Sequence, residues 1–470
     1  MKRSTFLKRN LWIIVGGTVT ILVTVLLYPY LLPLRVQNVE MVKFPENRLR
    51  FKVLVKLSKP CDAVIQYWKK AGKDTLYTTL SKDKKEHTIW ISNCTAPTDY
   101  QFRVIAKSGK ELVEGKIHPF ETQPIYQATP YFDLEKLDTA FAPSMKGKYF
   151  LTQILTEPGS AVIIDHLGNI VWYQPFKKGV KVSHWTDKQT VLCIVGPEAI
   201  PSSGGDEIVE VNMAGETVMQ LQCGKGDMDK MVHHEVNKDD NGNVYALTFD
   251  KKVMDLSGVG GTKNDTVHTD GIVVFDPKGK KLWEWSAIDY LEPLKDPAIL
   301  KHKKDMVHAN SLFKLKDGDF LISFRDLNQV WRVAYPSGKV IWKFGEKGDF
   351  PLDSLDQFSA QHFAHINQYN QLMILDNGIK RKQTRALSFN INAENKTVNK
   401  QLDIDLPKEY YSTAKGNASV FNNKQVLFSL TDPRCFLITE TNGKILWKVL
   451  VAGDPYRIEE ATDFLNPRPL

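Results

Sequence analysis

The chain has 470 residues, of which 42% are hydrophobic, 25% charged and 10% aromatic; this balance excludes a disordered protein and a small disulfide scaffold, and at about 100–200 residues per domain it allows two to four domains. Sixty-two basic residues against 54 acidic ones give a net charge of +8, but Lys2, Arg3, Lys8, Arg9 and Arg35 all precede the first acidic residue, Glu40, so the excess beyond residue 35 is only +3. No basic stripe is left on the folded part to bind nucleic acid, and no nucleic-acid partner is expected.

From Leu11 to Leu34 the sequence is apolar and uncharged, and about 20 such residues cross a bilayer core. With four positive charges before it, the segment predicts a single-pass inner-membrane anchor over residues 1–35, the N-terminus cytoplasmic and the folded domains periplasmic. A cleaved signal peptide is the competing reading. It fits less well, because Tyr28, Pro29 and Tyr30 stand where small residues would mark a cleavage site.

Residues 36–124 alternate apolar and polar positions, as in Phe51, Val53, Val55 and Leu57 and again in Tyr100, Phe102 and Val104. That period predicts half-buried strands. The run Thr98-Asp-Tyr-Gln-Phe-Arg-Val after Pro97, with Trp68 upstream, resembles the fibronectin type III fold, so a small β-sandwich is expected, acting as a brace or spacer. Cys61 and Cys94 both fall here, either bridged or as buried thiols. The five cysteines form no CxxC pair, which argues against a zinc site.

Beyond residue 124 the chain repeats. DHLGNIVW, NMAGETVM, DPKGKKLW, YPSGKVIW, NAENKTVN and ETNGKILW each place a turn before a strand, and their turn positions Gly168, Gly215, Gly279, Gly338, Asn395 and Gly443 are 47, 64, 59, 57 and 48 residues apart. A second strand (GKYFLTQI, KQTVLCIV, GNVYALTF, GDFLISFR, NQLMILDN, KQVLFSLT) precedes each copy. Six copies of two strand signals predict an all-β, six-bladed β-propeller over residues 125–470, with only short helical stretches near Ile288 to Lys301.

Residues at one repeat phase converge on the central channel. His234, His308 and His362 each lie seven to nine residues before a turn in three consecutive repeats, which makes them neighbours in one funnel. His184 is a weaker member; His87, His118, His166, His268 and His302 show no such phase and read as surface residues. Asn310 follows His308, and Arg325 lies where the next strand returns, its planar fork suited to sulfate or phosphate oxygens, with Ile322 and Phe324 beside it to bury it. Three histidines could also hold a metal, and a propeller can be a binding module without chemistry.

The strings VHHE at Val232, HANS and SFRDLNQVW between His308 and Trp331, QH and LDNG between Gln361 and Gly378, and a YRxE-like segment at Tyr456 resemble the bacterial aryl-sulfate sulfotransferases across nearly the whole chain. That resemblance implies transfer of a sulfuryl group from a phenolic sulfate to a phenol, without PAPS, metal or other cofactor, through a sulfohistidine. It implies His362 as nucleophile, Arg325 as clamp on the sulfuryl oxygens with His308 and Asn310, and His234 facing them. His233 and His234 are adjacent and only one can face the funnel; His234, next to the acidic residue, is favoured. A hydroxyl from the last blade, Ser412 or Ser419, is expected nearby, and Phe363 and Phe324 are candidates to stack substrate rings. Oligomeric state stays open between monomer and homodimer. No CxPxR string marks a formylglycine sulfatase, and SGVGGTKND at Ser257 lacks P-loop spacing.

Overall fold

The computed structural model describes residues 33–72, 74–125, 131–201 and 203–464. They form two compact units, divided between Ile125 and Tyr126. Apart from its last two residues the apolar segment ending at Leu34 lies outside the described residues, among which no helix is long and apolar enough to cross a membrane.

In the first unit seven strands are built around Asn47–Lys69. The front half of this strand pairs with Val36–Phe44 and Ser81–Ile91, and its back half with Thr75–Tyr77 and Thr98–Ser108. The alternating Phe51, Val53, Val55, Tyr100 and Phe102 are all buried, and Tyr100 stacks on Phe120 at 5.1 Å. Cys61 and Cys94 are unpaired buried thiols.

The second unit is a six-bladed propeller. Its innermost strands are, from blade 1 to blade 6, Ile458–Glu460, Gly179–Trp185, Val232–Lys238, Ala309–Lys314, His362–Ile366 and Asn417–Phe421. The ring closes twice over. Ile458–Glu460 joins blade 1 beside Tyr149–Ile154, while Phe132–Leu137 joins the outer edge of blade 6 beside Ile445–Val451.

The repeated turns carry the geometry their glycines predict: Gly168, Gly215, Gly279, Gly338 and Gly443 have φ between 74° and 84°, a region open to glycine at little cost. Tryptophans of three blades staple each of them to the next one's turn. Trp172 Nε1 donates to the Met213 carbonyl at 3.0 Å, Trp283 to Pro336 at 2.9 Å, and Trp447 to His166 at 2.8 Å, so the last blade repeats on the first what the first does on the second. The apolar faces of neighbouring blades then bury each other, as where Ile322, Phe324 and Trp331 meet Leu247, Ile272 and Trp285. Phe324 is thus a core residue, its ring 4.7 Å from Trp331, and not a platform for a substrate ring. His87, expected on the surface, is buried in the first unit beside Ser81 Oγ at 2.8 Å.

Candidate functional site

In blades 2 to 5 the innermost strand slips register against its neighbour near its start: between Val180 and Val182, His233 and Val236, Ala309 and Ser311, and His362 and His365. Such bulges re-aim side chains that the pleat would send elsewhere, and they collect beside active sites. The backbone here is costly. His234, His308, Ala360, Phe363 and Lys415 have φ of 54°, 52°, 54°, 53° and 60°, the left-handed region that non-glycine residues avoid.

His362 is buried, and its surroundings fix its tautomer. Asn377 Nδ2 donates to the carbonyls of Ser412 and Lys415 at 2.9 and 3.2 Å, so Asn377 Oδ1 is free to accept. His362 Nδ1 lies 2.7 Å from that oxygen and 3.1 Å from the Ala360 carbonyl, two acceptors, and must carry the proton. Nε2 then holds a lone pair, which accepts the Lys415 N–H at 3.2 Å. The next residue, Gly416, has φ 88°, and a Cβ there would sit 2.3 Å from the Ser429 carbonyl, so only glycine brings this amide to the imidazole. Burial, then the charge of Arg457, hold the His362 pKa well below the ordinary histidine value; His308 and Arg325 add to this, and the Asn377 hydrogen bond opposes it.

His308 is biased the other way. Burial disfavours its charge, but the hydrogen bond and charge of Asp305, whose Oδ2 is 2.6 Å from Nδ1, outweigh it with help from Asp270 and Asp326 and raise its pKa. His234 lies edge-on to His308 with ring centroids 5.0 Å apart, and burial with the neighbouring histidines and Arg457 pushes its pKa well down. His233 stands behind it, Nδ1 2.9 Å from His234 Nδ1, its ring against Phe249 and its Nε2 3.2 Å from Asp270. Of the two adjacent histidines, His234 is the one that meets His308.

Asn310 is wholly buried; its Nδ2 donates to the Gln361 carbonyl at 2.7 Å, tying blade 4 to blade 5 one residue from His362, and its Oδ1 has no partner among the described residues. Arg325 is more open than its neighbours suggested, with its side chain 25% exposed and Nη1 donating to Asp326 at 2.6 Å, yet its charge reaches both His362 and Asp305. Ser412 supports Asn377 through its carbonyl, and its hydroxyl accepts the Thr431 and Asp432 amides rather than standing free. Phe363 and His365 lie together with centroids 4.6 Å apart; His365 donates from Nδ1 to the Phe363 carbonyl, and burial lowers its pKa to about 4.

The sequence pattern gave no role to Arg457, which the structure places at the centre. It stands just before the closing strand of blade 1, donates to the Gly416 carbonyl and, at 2.9 Å, to the Asn310 carbonyl, and lies over the rings of Tyr456 and Phe363 at 4.4 and 4.7 Å. Glu235 Oε2 is 3.6 Å away. Glu235 also meets His184 Nε2, and His184 Nδ1 lies 3.4 Å from Glu459, so the two carboxylates overcome burial and raise the His184 pKa to about 10. The signal for Arg457 was one of topology: a residue just before the strand that closes the ring occupies the phase of the histidines.

The channel thus joins a neutral imidazole whose lone pair is met by one backbone amide, a second imidazole biased toward its protonated form, and two guanidinium groups. Such a set can attack an electrophile, protonate a leaving group and hold anionic oxygens. Among the described residues no three His, Cys, Asp or Glu side chains converge as metal ligands.

A family model described as Arylsulfotransferase (ASST) matches residues 135–447. No curated protein matches the chain. Solved structures similar to it include a protein of unknown function from Bacteroides caccae at 11% identity and TM-score 0.41, covering 67% of this chain and 99% of that one. A second, from Bacteroides thetaiotaomicron, has 16% identity and TM-score 0.36 and covers 91% of this chain and 99% of that one. A catalytically inactive virginiamycin B lyase from Staphylococcus aureus has 10% identity and TM-score 0.34, with 68% and 99% covered. At these TM-scores the likenesses decide nothing about fold or chemistry.

Proposed function

Since the chain belongs to the arylsulfotransferase family and is a sulfotransferase acting on phenolic sulfates and phenols, we propose that it works by two displacements through a sulfohistidine at His362. In the first, the Nε2 lone pair attacks sulfur in line with the departing phenolic oxygen. The S–N bond forms as the S–O bond breaks, and the phenolate, whose conjugate acid has a pKa of about 10, takes a proton from His308. In the second, the now neutral His308 accepts the proton of an incoming phenol, whose oxygen attacks sulfur and releases His362. Atoms and protons balance over the two steps, and no nucleotide enters.

Sulfuryl transfer resembles phosphoryl transfer in its loose transition state, with charge spread over peripheral oxygens, so positioning and electrostatics dominate. Arg325 and Asn310 are assigned to those oxygens, and His234, kept neutral, to the face beside His308. The observation that carries the reading is the opposite bias of His362 and His308 within one channel, the first with its Nε2 lone pair fixed by Asn377. The first unit is read as a fibronectin-like brace, and residues 11–34 as an anchor holding both units outside the inner membrane.

The test is p-nitrophenyl sulfate without PAPS or metal, quenched before phenol is added. Intact mass should show one added sulfuryl group, lost on adding phenol and absent in His362→Ala. Turnover in His362→Ala near the wild-type rate would refute the covalent step.

A further inference from the structure

The one-residue slip that inserts Asn310 in blade 4 occurs in blade 2 as well, where the extra residue is Lys181. Lys181 is only 7% exposed, and it makes no hydrogen bond or ion pair with any described residue. Every other cation of the channel is matched: Arg457 by two carbonyls and Glu235, His184 by Glu235 and Glu459, His308 by Asp305, Arg325 by Asp326, and Lys415 by Asp454 at 3.8 Å. Glu198 and Glu157 act on Lys181 from beyond ion-pair range, and Lys415, the residue whose amide touches His362, opposes them; burial is the largest influence and lowers its pKa.

The stem of Lys181 is buried while its ammonium is not sealed off, so a charge without a protein partner is left open to an incoming anion. The blade order says which. In a six-bladed ring blade 2 stands opposite blade 5, so the slip that carries Lys181 lies across the ring from the slip that begins at His362. A phenyl ring whose ester oxygen lay at His362 would extend its far substituent toward blade 2. A compact ammonium suits a carboxylate at that end, while the sulfuryl oxygens are served from blade 4.

We propose that Lys181 forms an anion subsite that gives the site a preference for phenols bearing a carboxylate opposite the hydroxyl. The proposal rests on the transferase reading above. With p-nitrophenyl sulfate as donor, the probe is the ratio of kcat/KM for 4-hydroxybenzoate to that for phenol. The ratio should fall at least about tenfold in Lys181→Met, the loss expected for one charge-assisted contact, and stay within about threefold of wild type in Lys181→Arg. If the methionine variant does not fold, Lys181→Gln removes the charge and gives the same comparison. An unchanged ratio in the uncharged variant overturns the subsite while leaving the transferase reading intact. A wild-type enzyme that releases no nitrophenolate with either acceptor overturns the transferase reading itself.

Discussion

Asn377→Leu isolates the tautomer of His362 from the rest of the site. The change removes the acceptor 2.7 Å from Nδ1 and leaves only the Ala360 carbonyl at 3.1 Å. It also strips the donor from the Lys415 carbonyl, while the Ser412 carbonyl keeps the Thr384 hydroxyl at 3.3 Å. With each buried hydrogen bond contributing about 1–1.5 kcal/mol and an orphaned group costing about as much again, the fold should lose about 2–4 kcal/mol. The share that biases Nδ1–H and orients the ring is about 1–2 kcal/mol, a fall of about 10–30-fold in the rate of the first displacement. Donor binding does not touch Asn377, so KM should move much less than kcat. The assay is the pre-steady-state burst of p-nitrophenolate, run beside thermal melting. A folded variant whose burst rate stays within about twofold of wild type would refute the claim that Asn377 makes His362 a nucleophile.

Burst rate against pH should show an acidic limb below the ordinary histidine range, set by the depressed His362, and an alkaline limb above it, set by the raised His308; Asp305→Asn should move only the alkaline limb, downward. His184 has its folded pKa raised to about 10, so its contribution to stability is complete below about 6.5 and is lost as pH rises through the folded value. Melting temperature should therefore decline toward pH 10, and His184→Gln should remove that dependence. On the acid side the buried neutral His234 and His362 must gain protons on unfolding, so melting should also drop below about pH 6.5, less steeply in His234→Gln; an equal slope counts against neutral burial. Arg457→Met leaves Glu235 with His184 alone and frees two carbonyls, a loss of about 3–5 kcal/mol by denaturant melting; a loss under about 1 kcal/mol would show that the guanidinium does not hold the ring together.

The propeller was legible because its turns favour glycine at left-handed φ and three of its blades carry a tryptophan that reaches the next blade's turn, so these residues recur at blade spacing. The histidines were legible by the same phase. The bulges were not: a slip of one or two residues leaves no mark in an apolar-polar pattern, and it is such a slip that separates His234 from His233 and inserts Lys181 into its strand. Phe324 was misread because position beside Arg325 says nothing of which face of the strand it takes. His87 was misread because burial of a single polar residue depends on its partner Ser81, six residues away, not on repeat phase. Arg457 lay in a recognised string, but its role depends on a closing strand that pairs with residues some 300 positions earlier.

That closing strand also sets when the enzyme can exist during synthesis. Blades 2 to 5 can form as the chain emerges, since each draws its four main strands from consecutive sequence, but the first blade waits for Ile458–Glu460. Until then the Asn310 and Gly416 carbonyls have no guanidinium, and the amide that touches His362 has no brace. A ribosome-bound or prematurely terminated chain therefore holds His234, His308 and His362 yet lacks the Arg457 guanidinium, so on the proposed reading transfer is expected only once the ring is complete.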